Sequence, residues 1–245
     1  MAYSPAFGSE GNSVPILAYH RFGPEVADGM TVRSAVFESH LNWILDHGYE
    51  VIALRELIAH FFKKNLPLPP RRVVITADDG HKSVYTDLFP LARKHGAHVT
   101  LFLYPSALSN ASYALTWSQL REMKASGLFD FQSHTYWHPN FKKEKGRLSA
   151  EEYERFVDFQ IKKSKVRLEQ ELGVNVDMLA WPFGIFDSWL MTKAEEANYT
   201  AAFTIERRHA TRADPIMALP RYLMTDSDRG RAFERIITGL TPKED

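Results

Sequence analysis

The stretch "RRVVITADDGH", residues 71–81, decides how the chain is read. Val73, Val74, Ile75 and Thr76 form a β-branched run of strand length that ends abruptly in Asp78, Asp79 and Gly80. Two adjacent carboxylates at the mouth of an apolar strand cost free energy unless something nearby compensates them. A single Asp there would read as a helix cap or an Asp-Gly turn. Two point to a cation.

Outward from this stretch the same grammar repeats. Strands are predicted at 14–20, 49–54, 71–77, 97–103, 129–134, 177–182, 200–205 and 218–224, with helical patterns between them. Phe37, Leu41, Ile44 and Leu45 make one apolar helix face, with Gly48 as its stop. Thr116 precedes Gln119 by three residues and Ser149 precedes Glu152 likewise, the spacing of capping boxes. The second opens a long helix carrying Val157, Ile161, Leu168 and Leu172 on one side. Asp187 and Asp226 are expected to cap later helices. Strand–helix alternation through one domain implies an α/β fold with a mainly parallel sheet. Seven or eight units make that sheet a closed or nearly closed β/α barrel. The expected organisation is a flexible segment at 1–13 followed by a single domain at 14–240.

Composition narrows the classes. A chain of 245 residues fits one domain, and 44% hydrophobic residues suffice for a sizeable core, which excludes global disorder. Thirty basic residues balance thirty acidic ones, so no nucleic-acid partner is expected. The basic run at 141–148, interrupted by Glu144, reads as a solvated loop. The absence of cysteine excludes disulfides, thiolate ligands and cysteine nucleophiles. No run reaches membrane-spanning length. The opening "MAYSPAFGSEGNS" lacks the apolar core of a secretion signal: either the protein is cytoplasmic, or a signal has been removed.

In a β/α barrel the active residues stand just beyond the C-terminal ends of strands, which tests every polar residue. Asp78 and Asp79 pass. In "FQSHTYWHPN" (131–140), His134 and His138 follow a strand four residues apart, close enough to share a metal across a helical turn, with Thr135 able to bond that turn. An isolated H-x-x-x-H is weak. Joined to a strand-end Asp pair it makes an Asp-His-His site with coordination positions left open, the mark of a catalytic metal. "LAWPFGIFD" (179–187) also follows an apolar run, and its Pro182 and Gly184 could turn a main-chain N–H near Phe183 toward an oxyanion. The plain alternative is a Pro-Gly turn with core aromatics. "ILAYHRF" (16–22) ends its strand in His20, on the same barrel face as the cluster.

"TADDG", "HTYWHP" and "WPFG" resemble the first three motifs of the polysaccharide deacetylases, carbohydrate esterase family 4, over roughly residues 14–224. The resemblance implies a distorted (β/α)7–8 barrel, with Asp78 as catalytic base and Asp79, His134 and His138 as metal ligands. In that family an arginine two residues before the motif proline orients the base; here the position is Ala180, and Arg221 in "LPRY" is the candidate replacement. Many members carry the general-acid histidine near the C-terminus, where this chain has none. His20 in "ILAYH" takes that role instead, which is similar to the permuted deacetylases of poly-β-1,6-N-acetylglucosamine, the biofilm exopolysaccharide.

The implied activity is metal-dependent hydrolysis of N-acetyl groups on N-acetylglucosamine units of a poly- or oligosaccharide. O-deacetylation of an acetylxylan-type glycan and a catalytically silent glycan-binding domain are the alternatives. Zn2+ suits the ligand set, with Co2+, Ni2+ or Fe2+ also compatible. Phe183, Pro182, Trp181, Tyr104 and Trp137 are the candidates for contacting oxyanion and sugar, with Tyr136 and Trp189 behind them; each aromatic could equally be core packing. An enzyme of this kind is expected outside the cytoplasm, peripherally associated with the cell envelope.

Overall fold

Seven short parallel strands, neighbours in chain order, form the centre of the protein. The computed structural model describes residues 13–62 and 67–239. The strands are β1 (Ile16–Tyr19), β2 (Arg72–Asp78), β3 (Val99–Leu103), β4 (Phe129–Ser133), β5 (Met178–Ala180), β6 (Ala201–Phe203) and β7 (Tyr222–Leu223). Each of β1 to β5 pairs with the next, and β7 returns to β1 with Tyr222 opposite Leu17. Leu219 closes the ring: it pairs with Phe203, donating to the Ala202 carbonyl and accepting from Thr204. The barrel is thin there and between β4 and β5, where Ser133 and Leu179 are the paired residues.

Period-two alternation sorts the strand side chains into two cores. Ile16, Val74, Phe102, Met178, Ala180, Phe203 and Leu219 fill the interior, together with Leu54, Leu57 and Ile58 of helix α2. The opposite set, including Leu17, Ile75, Leu101, Phe131 and Leu179, packs with the outer helices. The helices are α1 (Ser34–Asp46), α2 (Leu54–Phe62), α3 (Phe89–His95), α4 (Trp117–Ala125), α5 (Phe141–Lys145), α6 (Ala150–Leu172), α7 (Ser188–Glu196) and α8 (Arg231–Thr238). Both expected capping boxes form, at Thr116 and Ser149, and Asp187 caps α7 through the Leu190 N–H. None of these helices is long and apolar enough to cross a membrane.

Several expectations change. The run 49–54 yields only the pair Glu50–Val51, which bonds to Arg72 and Val73, while Leu54 already opens α2. Short apolar runs carry no period that separates strand from helix. Leu45 is half exposed although its face partners Phe37, Leu41 and Ile44 are buried. The basic run is not a loop: Asn140 caps α5, and Phe141 is buried beneath it. Asp226 caps no later helix; it accepts from the Arg33 N–H and side chain at the start of α1. Of the segment expected to be flexible, residues 1–12 lie outside the described residues, and Ser13 pairs with Thr211 in a two-stranded ribbon.

His40 on α1 ties three elements together. Its Nε2 meets the Asp228 carbonyl, which can only accept, so that nitrogen carries the proton and Nδ1 accepts from the Tyr19 hydroxyl at 2.9 Å. Its ring stacks on Phe233 of α8, centroids 3.9 Å apart. Burial pushes the imidazole down to about 4, against the opposing pull of Asp228. A group whose folded pKa lies below its unfolded value contributes stability above the unfolded pKa and loses it as pH falls through the folded one. His40 should therefore cost stability between about pH 6.5 and 4, on the order of 3 kcal/mol in total at 1.36 kcal/mol per unit. Denaturant unfolding of wild type and His40→Gln across that range checks it: the variant should be less stable at pH 7 and lose less on acidification.

Candidate active site

β2 delivers Asp78 into the top of the barrel, where it is 2% exposed. The chain then turns through two left-handed residues, Asp79 (φ 71°) and Gly80 (φ 72°). A Cβ on Gly80 would lie 2.8 Å from Leu103 Cδ2, so glycine is required there on two counts. The turn sends the two carboxylates to different partners.

Asp78 is gripped by Arg221, which has no exposed surface. Nη1 donates to Oδ1 at 2.8 Å and Nη2 to Oδ2 at 2.7 Å, a bidentate fork. The guanidinium also donates to Thr76 Oγ1 and to the Thr204 carbonyl, and its carbon lies 5.1 Å from the Phe102 ring centroid. Ala180, where the family resemblance expects an arginine, belongs to the same interior cluster. Burial alone would raise the Asp78 pKa. The charge of Arg221 and the fork itself outweigh burial and hold the carboxyl well below the usual range.

Asp79 faces the two histidines. His134 Nε2 and His138 Nε2 each lie 3.7 Å from its Oδ1. His134 Nδ1 donates to the Ala180 carbonyl at 2.8 Å; a carbonyl cannot donate, so Nδ1 carries a proton and Nε2 is the nitrogen turned toward Asp79. His138 is driven down to about 4 by burial, against Asp79 and Asp78, so it offers a lone pair at neutral pH. One ligand atom from each of the three residues lies within 4.8 Å of the others, and Asp79 Oδ1 is buried without a hydrogen-bond partner among the described residues. Two imidazoles and an orphaned carboxylate oxygen make a donor set that can hold a divalent metal. The histidines do not converge across a helical turn, as their spacing suggests. Thr135 (φ 64°) and His138 (φ 63°) are both left-handed, and the Thr135 hydroxyl accepts the His138 N–H.

These groups open into a cleft of about 340 Å³. His20 lines it from the end of β1, its Nε2 4.0 Å from Asp78 Oδ2 and its Nδ1 buried without a partner among the described residues. Burial lowers the His20 pKa, with Asp78 and Asp79 pulling the other way. Phe183 is left-handed (φ 56°) and 56% exposed, its ring 4.6 Å from that of His138. Trp181 contributes an edge while its Nε1 donates to the Met217 carbonyl. Tyr104 also lines the cleft and bonds the Tyr113 hydroxyl.

Other candidates fall elsewhere. Pro182 is buried within the turn, shaping it rather than lining the cleft. Trp137 packs beside Phe156 and Phe159 of α6 and is not among the cleft residues. Trp189 stacks on Tyr153, outside the cleft. The sequence reading missed Arg21 and Met30, which form the wall next to His20; Arg21 is ion-paired with Asp28, itself bonded by Thr31 and the Met30 N–H. No spacing or motif marks them.

A parallel β/α ring with a carboxylate pair and two histidines at its C-terminal mouth suits hydrolysis with a metal's help. The family model described as polysaccharide deacetylase matches residues 65–202, more than half of the chain, and the chain belongs to that family. The poly-β-1,6-N-acetyl-D-glucosamine N-deacetylase of Staphylococcus epidermidis is 26% identical over 246 residues, covering 93% of this chain and 83% of its own length. Its Staphylococcus aureus counterpart is 24% identical, covering 84% and 71%. Among solved structures, the Streptococcus pyogenes deacetylase PplD in complex with acetate is similar in fold at 24% identity. Its TM-score is 0.81, with 92% of this chain and 98% of that one covered. IcaB from Ammonifex degensii follows at 22% identity, TM-score 0.79, with 93% and 98% covered.

Replacing Arg221 should leave the buried Asp78 carboxylate without its counter-charge. Arg221→Met is expected to lose about 3–5 kcal/mol of stability. Arg221→Lys should recover only part of it, because an ammonium cannot reproduce the fork. Denaturant unfolding of both variants at neutral pH is the measurement.

Proposed function

We propose that the protein is a metal-dependent N-deacetylase acting on N-acetylglucosamine units of a polysaccharide, with poly-β-1,6-N-acetylglucosamine as the preferred polymer over chitin-like β-1,4 chains. The observation that carries this reading is the division of labour in the carboxylate pair: Arg221 holds Asp78, while Asp79 faces His134 and His138. The names of the Staphylococcus relatives support the polymer. The work of such an enzyme lies outside the cytoplasm, where exopolysaccharide is found.

Asp79, His134 and His138 would hold the metal, Zn2+ by the chemistry of the donors. When bound, the metal supplies Lewis acidity, acidifying water and polarising the acetyl carbonyl. Asp78 accepts the proton of the water that adds to the carbonyl carbon. Arg221 keeps it ionised and fixes both of its oxygens, so it is in the accepting form throughout the neutral range. The main-chain N–H at Phe183 donates to the oxygen as it becomes negative. His20 in its protonated form delivers a proton to the nitrogen as the C–N bond breaks, giving acetate and a free amine. Trp181, Tyr104 and the exposed Phe183 ring bound the sugar.

Acetate release from N-acetylglucosamine oligomers with β-1,6 and β-1,4 linkages, with and without chelator, tests the reading; O-acetylated xylan serves as the ester control. Release should be faster from the β-1,6 series and abolished by chelator. A preference for the xylan ester would establish O-deacetylation instead, and glycan binding with no release from any substrate would mean a silent binding domain. Asp78→Asn should lose turnover by several orders of magnitude while retaining metal; Asp79→Asn and His134→Ala should lose both. His20→Ala should lower the rate and remove the alkaline limb of the pH–rate profile. If rate and limb both survive, His20 is not the acid.

A further inference from the structure

Gln160 and Ser164 stand one turn apart on α6, both fully buried, among the residues Val157, Ile161 and Leu168 that pack the helix into the core. Polar side chains at such positions cost free energy unless they are hydrogen-bonded. Both bond toward a single segment, the one from His134 to His138. Gln160 Oε1 accepts the Trp137 N–H at 3.0 Å. Ser164 Oγ accepts from Ser133 Oγ at 2.8 Å, and Ser133 Oγ accepts the Thr135 N–H at 3.1 Å.

That segment needs restraint from outside. Thr135 and His138 are left-handed, Thr135 is β-branched, and such residues persist only where the surroundings over-determine them. Gln160 carries a second sign of what it is for. Its Nε2 is buried with no hydrogen-bond partner among the described residues, so the amide is retained for its acceptor oxygen at the expense of its donor. A leucine would remove the unpaired donor, but with it the acceptor of the Trp137 N–H.

We propose that Gln160 and Ser164 are positioning residues for the metal centre. By pinning the backbone between His134 and His138, α6 holds the His138 imidazole where it meets Asp79 and His134, so a helix outside the barrel sets the metal affinity inside it. The inference rests on the reading of Asp79, His134 and His138 as metal ligands. Outer partners of ligating residues change metal affinity by about 10–100-fold when lost.

The experiment is Zn2+ affinity of the metal-stripped full chain, by competition with a chromogenic chelator, for wild type, Gln160→Leu, Gln160→Glu and Ser164→Ala, with the Tm of each metal-free protein measured alongside. Gln160→Leu should weaken Zn2+ binding about 10–100-fold. Ser164→Ala should weaken it less. Gln160→Glu keeps an acceptor opposite the Trp137 N–H and should stay within a few-fold of wild type. If Gln160→Leu does not fold, Ser164→Ala carries the comparison. Wild-type affinity in the variants, with the loss confined to Tm, overturns the proposal, as does a Gln160→Glu protein as weak as Gln160→Leu. A wild-type chain that binds no Zn2+, Co2+ or Ni2+ overturns the metal reading itself and this proposal with it.

Discussion

Inside the ring, the Arg221 guanidinium and the Asp78 carboxylate meet with almost no exposed surface, and each would be costly there alone. The fork brings together strands from opposite ends of the chain, since Arg221 enters just before β7 and Asp78 ends β2. Thr76 and the Thr204 carbonyl complete the guanidinium's bonding, and Phe102 and Phe203 flank it. One ion pair thus balances the charge buried in the barrel and fixes the Asp78 carboxylate. The interior below it is apolar, with Val74, Phe102, Phe203 and the α2 leucines excluding water from its underside.

The rest of the site is assembled from backbone that resists its own conformation. Four of the residues with left-handed φ, Asp79, Thr135, His138 and Phe183, belong to the cluster and its turns. Each is held by something specific. Gly80 permits the turn after Asp79, the Thr135 hydroxyl takes the His138 N–H, and Gly184, whose Cβ would strike Ile205, follows Phe183. The orphaned atoms Asp79 Oδ1 and His20 Nδ1 lie in the same small volume. Left-handed backbone and buried polar atoms thus meet in the same cleft.

Much of this was legible in the sequence because the determinants are local. A β-branched run ending in Asp78–Asp79 and a short aromatic one ending in His134 placed those residues at strand ends, and the caps at Thr116, Ser149 and Asp187 read correctly from the sequence. What could not be read depends on contacts distant in the chain. The strand expected at 49–54 is an apolar run that pairs with β2 only at Glu50–Val51, and Leu54 turns to helix. Trp137, half exposed, stands beside Phe156 and Phe159 rather than in the cleft, a placement its residue type does not reveal. Arg21 and Met30 reach the cleft through the pairing of 21–23 with 31–33, which no periodicity announces. The Arg221 proposal came from a gap in a pattern, at Ala180, and only the ring's geometry brings the two positions into one interior. His20 and Arg221 both fall outside the 65–202 segment matched by the family model.

The closing of the ring at Leu219 and the two-residue strand β7 has a temporal meaning. Asp78 is made early in the chain, together with most of the barrel, yet its counter-charge arrives only with residue 221. Until that segment docks between β6 and β1, Asp78 stands without the guanidinium that balances it, and the ring is open on that side. The last segment made is thus the one that completes the charge balance of the interior.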